Sequence, residues 1–241
     1  MKDFTHVSNF TGYMAKVADF ICTNGQPQQT IFDIPAGNGL FADYLRENDF
    51  KVICGDINTE RQDYIYINME QKLPIEDGVF DFVVCMEGVE HVINPYQLIS
   101  ELCRITKDNG YIIITTPNIQ SLYSRLKFLF TGIFYQFEPE FTRHPKNMTV
   151  DRGHITPFSY IQLNYILEEF NFEPILISGD KFKRKIFLPI YLFLYPLNII
   201  YTTVKLQKTK SPSLRNLYIL MRNKNLLLSR SLIAVWRKKS L

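Results

Sequence analysis

The sequence predicts an α/β fold: a doubly wound, seven-stranded sheet, mostly parallel with an antiparallel last strand, and helices on both faces. Three observations predict it. Near-continuous apolar runs of strand length alternate with segments whose apolar residues recur at helical spacing. The first run, "TIFDI", ends in an acid and passes through "PAGNG" into a helical pattern, a strand-to-helix crossing built from small residues. The elements also follow one another too closely over the first 120 residues to leave room for two domains. With 46% apolar and 21% charged residues among 241, the chain has an ordinary globular composition and is long enough for one well-buried domain.

The elements follow in order. "VSNFTGYMAKVADFICTNG" carries Val7, Phe10, Met14, Val17 and Ile21 at helical spacing, and Asn24-Gly25 supplies a stop. "TIFDI" is the first strand, "LFADYLREN" a helix, "KVICGD" the second strand, "DYIYINM" the third and "FDFVVCM" the fourth. "NPYQLISELCRITK" is a helix with Asn94 as N-cap and Pro95 at its first position. "GYIIITTP" is the fifth strand and "SLYSRLKFLF" a helix. An aromatic, proline-containing loop then leads to the helix "SYIQLNYILEEF". "FEPILIS" is the sixth strand and "SLIAVW" the last, returning antiparallel. Residues 181–229 lie between these two strands as an insertion, expected to be helical.

Charge is divided unevenly along the chain. Residues 1–180 carry 13 Lys and Arg against 24 Asp and Glu, whereas residues 181–241 carry 14 Lys and Arg and no acid. An acidic body with a wholly basic end points to an anionic partner for that end. The acidic body argues against nucleic acid, and none is expected. The N-terminal "MKDFTHVSNF" has no apolar stretch of signal-peptide type, so a cytoplasmic location is expected. Cys22, Cys54, Cys85 and Cys103 form no C-x-x-C pair and sit among apolar neighbours, as small buried thiols in a reducing compartment do.

Function is read first from the turn after the first strand. Backbone N–H groups at such a crossing face an anion or polar ligand at the carboxyl edge of the sheet. The second strand ends in "CGDIN", placing Asp56 17 residues after Gly39, where an acid can accept from both hydroxyls of a ribose. The succession "FDIPAGNG", "CGDIN", "INMEQKLPIEDGVFDFVVCMEGVEHVINP" and "GYIIITTPN" resembles class I S-adenosylmethionine-dependent methyltransferases of the bacterial small-molecule, glycan and lipid type, whose sheet is Rossmann-like. The resemblance covers residues 30–120 well, and "GHITPF" (Gly153–Phe158) with the sixth strand more loosely.

That resemblance implies S-adenosyl-L-methionine as cofactor and assigns residues to it. Asp33, with the main chain of Ala36, Gly37 and Gly39, would hold the methionine end, the acid reaching the ammonium. Asp56 would take the ribose hydroxyls, and Ile57 would lie against adenine. Asn68 would bond the adenine amino group, with Met69 packed on the ring. Met86 and Glu87 would line the methyl-donor side. Pro35 stands where the family has its first glycine, and removes one N–H from the loop. Asn68 stands where an acid is common.

Transfer to a hydroxyl also requires removal of its proton. His91 in "EGVEHV" and His154 in "DRGHIT" are the candidate bases, with His144 a weaker one. Glu90 is expected to fix local structure. No histidine or cysteine spacing suggests a metal site.

Two other functional classes fit parts of the sequence. Tyr123–Lys127 and Tyr201–Lys205 have the Y-x-x-x-K spacing of NAD(P)-dependent short-chain dehydrogenases, although the cofactor loop of those enzymes is missing. A non-catalytic cofactor-binding or scaffolding protein is the third reading.

The insertion is unusual. Ile186–Val204 is 19 residues without a charge, flanked by "KFKRK" and "KLQKTK". Its prolines, and a following strand that must rejoin the sheet, argue against a span. Its apolar side can serve as a lid, as a homodimer surface, or as a peripheral dock on an anionic bilayer at the inner membrane face. The whole chain is thus read as one methyltransferase domain, residues 1–241, acting on a small-molecule, lipid or lipid-linked glycan acceptor. Phe134, Tyr135 and Phe137 are candidate lining residues for that acceptor.

Overall fold

The protein is described by a computed structural model over residues 9–57, 61–138, 142–143, 150–151, 153–182 and 185–240. Helix α1 (Gly12–Asn24) starts at Thr11, whose hydroxyl accepts from the Met14 N–H. Strand β1 (Thr30–Asp33), helix α2 (Leu40–Glu47), strands β2 (Lys51–Asp56), β3 (Tyr64–Tyr66) and β4 (Phe80–Met86) follow. Helix α3 (Pro95–Ile105) is capped by Asn94, which accepts from the Gln97 N–H at 3.2 Å, with Pro95 in its first turn, as the sequence predicts. Next come β5 (Thr106–Pro117), α4 (Leu122–Thr131), the two-residue strands β6 (Thr142–Arg143) and β7 (Val150–Asp151), α5 (Tyr160–Glu169) and β8 (Phe172–Gly179).

A short 3-10 turn (Lys185–Phe187), α6 (Leu188–Lys208), α7 (Pro212–Leu220) and α8 (Lys224–Leu228) then lead to β9 (Ser231–Lys238). Seven strands form one sheet in the order β3-β2-β1-β4-β5-β9-β8. The contacts among β1 to β5 are parallel, and β9 runs antiparallel between β5 and β8. The expected architecture is therefore the observed one.

Alternation along the strands builds a core on each face. Val83, Ile112 and Ile114 join Leu98, Leu102, Leu163 and Leu167 of α3 and α5 on one face. Val84 and Ile113 join Val17, Ile21, Phe41 and Leu45 of α1 and α2 on the other. The fully buried Trp236 of β9 stacks on Tyr160, and its indole N–H donates to Asn164 Oδ1 at 2.9 Å. That bond satisfies the ring's one polar atom.

Three local expectations are corrected. The third strand keeps only Tyr64–Tyr66 of "DYIYINM", because it lies at the sheet edge with β2 as its one partner. The fifth strand starts at Thr106, directly after α3, where its hydroxyl donates back to the Leu102 carbonyl at 2.6 Å. Cys22 is exposed, whereas Cys54, Cys85 and Cys103 are buried. Residue 22 follows the fully buried Ile21 and so points about a hundred degrees away from it around the helix.

Because β1, β2, β4 and β5 are parallel, Asp33, Asp56, Met86 and Pro117 all finish at one rim. The antiparallel β9 starts at that rim, with Ser231 opposite Pro117, and β8 ends there, with Gly179 opposite Leu232. The insertion therefore leaves and re-enters the sheet at the rim where β1, β2, β4 and β5 end.

Its return is pinned by Asn118. The Asn118 side-chain amide donates to the carbonyls of Asn225, Leu226 and Ser229 at 3.0–3.2 Å. Asn118→Ala is expected to cost about 1–3 kcal/mol by leaving these buried carbonyls unmet, and to lower the melting temperature by about 2–10 °C in a thermal scan.

Helix α6 continues through Pro196, and Thr202 is its buried residue. Arg222 ties it to α7, donating to the Thr202 and Thr203 hydroxyls at 2.8 Å each. Among the described residues no helix is long and apolar enough to cross a membrane.

Candidate functional site

The site is built on the turn from β1 to α2. Gly37 and Gly39 take φ of +55° and +80°, the left-handed region that a side chain resists. A Cβ on Gly39 would lie 2.3 Å from Arg61 Nη1 and 2.6 Å from the Tyr64 hydroxyl. Arg61 is held there by Asp43, to which it donates twice at 2.6 and 2.8 Å, and by Asp63. Tyr64 donates its hydroxyl to the Gly37 carbonyl at 3.3 Å. This Arg-Tyr cover over the turn lies outside any motif and was not read from the sequence.

Pro35 does not need a positive φ; the left-handed positions of the turn are the two glycines after it. Its ring packs against Gly88, where a Cβ would come within 2.6 Å of Pro35 Cδ. Gly88 is thus the residue that makes room for the proline, a role the sequence reading missed. Within the turn, the Ala36 N–H donates to the Gly55 carbonyl, Gly39 N–H to the Ala36 carbonyl, and Gly37 N–H to Asp56 Oδ2 at 2.8 Å. The donors of the loop hold its shape.

Asp33 is 1% exposed, and its Oδ1 has no hydrogen-bond partner. Burial, and then the nearby Asp56, push its carboxyl up to about 8, with Arg46 opposing. A buried carboxylate oxygen without a donor is costly unless a ligand meets it. Asp56 is likewise buried, at the end of β2. Ile57 beside it is exposed. Asn68 accepts from the Glu70 N–H at 3.0 Å, and Met69 packs on the core.

Met86 is buried at the end of β4. Glu87, at φ +49°, accepts from the Thr115 hydroxyl at 3.0 Å, and burial raises its carboxyl to about 7.

The turn after β4 meets the segment before α5. The Glu90 carbonyl accepts from the Ile155 and Thr156 N–H groups at 3.0 and 3.1 Å, and the Thr156 hydroxyl donates to the Val92 carbonyl at 2.8 Å. These bonds bring His91 and His154 into edge-to-face contact with ring centroids 4.7 Å apart. One ligand atom each from Glu90, His91 and His154 lie within 4.8 Å of one another. Spacing in the sequence does not announce this grouping, because the two histidines stand 63 positions apart. His144 lies outside the described residues.

Beside this rim a small cleft of about 40 Å³ opens between α4, the 3-10 turn and α8, lined by Tyr123, Tyr135, Phe187, Leu227 and Arg230 among others. Of the predicted acceptor-lining residues, Tyr135 lies in it. Phe137 is buried against the His154 ring, and Phe134 stacks on Phe128.

Residues 7–177 match the family described as "Methyltransferase domain". The chain belongs to that family, whose methyl donor is S-adenosylmethionine. The methyltransferase is 35% identical over 100 residues to the "Ubiquinone biosynthesis O-methyltransferase" of Rickettsia conorii, covering 36% of this chain and 35% of that protein. It is 26% identical over 102 residues to the protein of the same name from Photobacterium profundum, covering 36% of this chain and 43% of that one. These matches span less than half the length of either relative.

In fold, the methyltransferase is similar to a SAM-dependent methyltransferase from Archaeoglobus fulgidus, with a TM-score of 0.58 at 19% identity over 93% of this chain and 92% of the other. The dehydrogenase and scaffolding readings find no support. In the methyltransferase, Lys127 pairs with Glu138, Tyr123 packs on Tyr135 and Phe187, and the Lys205 ammonium sits 5.5 Å from the centre of the Tyr201 ring.

Proposed function

We propose that this chain moves a methyl group from S-adenosylmethionine to a hydroxyl of an amphiphilic, lipid-linked acceptor, working at the face of an anionic membrane. The observation that carries the reading is the unpartnered, buried Oδ1 of Asp33 beside a glycine turn. It fits the α-ammonium of an amino-acid cofactor, which a plain dinucleotide lacks.

In this reading Asp33 holds that ammonium, and the turn Pro35–Gly39 shapes the floor under the methionine end through Ala36, Gly37 and Gly39. Asp56 takes the ribose hydroxyls while its Oδ2 keeps the Gly37 N–H. Ile57 and Met69 flank the adenine, and Asn68 meets its amino group. Met86 and Glu87 border the methyl group. When bound, the cofactor supplies an electrophilic methyl; the protein's own contribution is alignment and exclusion of water. His91 and His154 act on the acceptor's hydroxyl.

The acceptor class is supported by three things. The relatives in Photobacterium profundum and Rickettsia conorii are named as O-methyltransferases. The cleft at the rim is lined by aromatic and aliphatic side chains. The insertion 181–229, an elaboration on a single methyltransferase domain, exposes Ile186, Leu192, Phe193 and Ile200 at 61–81% within residues 181–241, which carry no acid. Lysine and arginine beside exposed apolar side chains suit an anionic bilayer.

Calorimetric titration should give one site for S-adenosylmethionine and none for NAD. With the methyl group labelled, a hydroxylated aromatic carrying a polyprenyl tail in anionic vesicles should take up label faster than its tail-less analogue. Equal rates would remove the lipid part of the proposal, and no cofactor binding would remove all of it.

A further inference from the structure

We propose that the small cleft at the start of α4 is a subsite for one phosphate group carried by the acceptor. The cleft measures about 40 Å³. A single water needs about 10–15 Å³ and a drug-sized ligand at least about 300 Å³, so the space suits a small oxyanion and not a ring or a lipid tail. The first turn of α4 lines it. Ser121 caps this helix by accepting from the Ser124 N–H, and the Leu122 N–H makes no hydrogen bond among the described residues. Unused N–H groups and the dipole at such a helix start favour an anion. Arg230 also lines the cleft. Its Nε donates to Gln136 Oε1 at a long 3.4 Å, and its two Nη groups have no partner among the described residues.

The second observation is Ser229. It lines the cleft, is 1% exposed, and its hydroxyl has no hydrogen-bond partner. Gly179 has no side chain to crowd that hydroxyl. A buried serine that served only packing would donate to a nearby carbonyl. A phosphate offers oxygens enough for the hydroxyl, the guanidinium and the Leu122 N–H at once.

These donors are held in place without a ligand. Asn118, just past the end of β5, accepts from the Ser121 N–H at 3.2 Å and donates its own N–H to the Arg230 carbonyl at 2.9 Å. Its side chain donates to the Ser229 carbonyl at 3.0 Å. One residue thus fixes both the start of α4 and the pair Ser229–Arg230, the preorganisation that a binding site requires.

Position gives the phosphate its source. Arg230 directly precedes β9, at the rim where β1, β2, β4 and β5 end. Its charge acts on the carboxyl of Glu87, which burial raises to about 7. Held so high, that carboxyl competes for the guanidinium less than an ordinary one. With Glu87 bordering the methyl group, an anion on Arg230 sits on the acceptor's side of the reaction. The assignment to the acceptor rests on the hydroxyl-methylation reading above; the binding of phosphate does not.

The test uses the full chain at constant ionic strength. Calorimetry with inorganic phosphate should show one saturable site. Arg230→Gln should weaken it by at least ~10-fold and Ser229→Ala by about 3- to 10-fold, while Arg230→Lys keeps part of the affinity. S-adenosylmethionine titration checks that each variant is folded. Given a hydroxyaryl phosphate and its uncharged dimethyl ester as acceptors, the parent should favour the phosphate in kcat/KM by at least ~10-fold, mainly through KM. Arg230→Gln should bring the two acceptors towards equality. A merely structural Arg230 would lower both rates and leave their ratio, which would overturn the proposal. So would absence of saturable phosphate binding in protein that still binds the cofactor, or binding that neither Arg230→Gln nor Ser229→Ala weakens. Loss of flotation with anionic vesicles in Arg230→Gln, at an unchanged acceptor ratio, would give the site to a membrane headgroup and overturn its assignment to the acceptor. Phosphate binding without methyl transfer to any hydroxyl would leave the site standing and sink the activity instead.

Discussion

Asp33→Asn is expected to lower affinity for S-adenosylmethionine by about 10- to 100-fold and, in the same protein, to raise the melting temperature of the cofactor-free form. The first effect is the loss of a charge-assisted bond to the ligand's ammonium, worth about 1.5–3 kcal/mol. The second comes from the state of the carboxyl without ligand. Burial, followed by Asp56, raises it from 3.8 to about 8.

A group whose folded pKa lies above its unfolded value gives its full stabilisation below pH 3.8 and loses it as pH rises to about 8. Each pH unit inside that window costs the folded chain at most about 1.4 kcal/mol. Asparagine keeps the shape and does not titrate. The gap in melting temperature between variant and parent should therefore widen from pH 4 towards pH 8, measured by thermal shift across buffers.

Cofactor binding should follow the same proton. Below about pH 8 the ligand's ammonium must ionise Asp33, so binding releases a proton and affinity climbs with pH. The ligand's own α-amino group loses its charge near pH 7.7–8.0, about where the climb ends. Affinity should pass through a maximum there, and Asp33→Asn should abolish its rising limb. A flat profile in the parent protein would place Asp33 away from the ammonium.

Asp33 and Asp56 were legible because each closes an apolar strand: the order of strands fixes which acids reach the rim, whatever the details of packing. Helix starts were legible for a similar reason. Asn94 and Pro95 act on the backbone within one turn, so local sequence determines them. What could not be read depends on contacts between distant segments. Glu90 looked structural in the sequence, and only the bonds from Ile155 and Thr156 bring His154 against His91. Arg61 over Gly39 depends on Asp43, one turn into α2 and 18 residues away. Pro35 looked like a defect in a glycine motif because its counterpart, Gly88, lies after β4, 53 positions along the chain. The short β3 reflects its edge position, which a run such as "DYIYINM" does not announce.

Removing the apolar face of α6 should have the other large effect. Leu192→Glu with Phe193→Glu places two charges where side chains are 63% and 71% exposed, so the fold loses little by the change. A membrane-facing role loses much: the two apolar anchors vanish, and two negative charges enter a basic field in which each Lys or Arg near an anionic surface contributes about 1 kcal/mol. The double variant should bind S-adenosylmethionine as the parent does, fail to float with anionic vesicles, and methylate a tailed acceptor in vesicles poorly while retaining its rate on a soluble analogue.

Salt should divide the parent's binding into its two parts. At high ionic strength the electrostatic part is screened and the apolar part is not. A lid would instead lose rate on both acceptors alike, because it covers the cleft beside Tyr123, Tyr135 and Phe187 whatever the acceptor's tail. A dimer surface would show as a change of mass in light scattering without vesicles. Hairpin α6–α7 springs from the same rim at which Asp33 and Asp56 end, so a bilayer touching it would present a lipid-borne hydroxyl beside the donor with no long transfer through water.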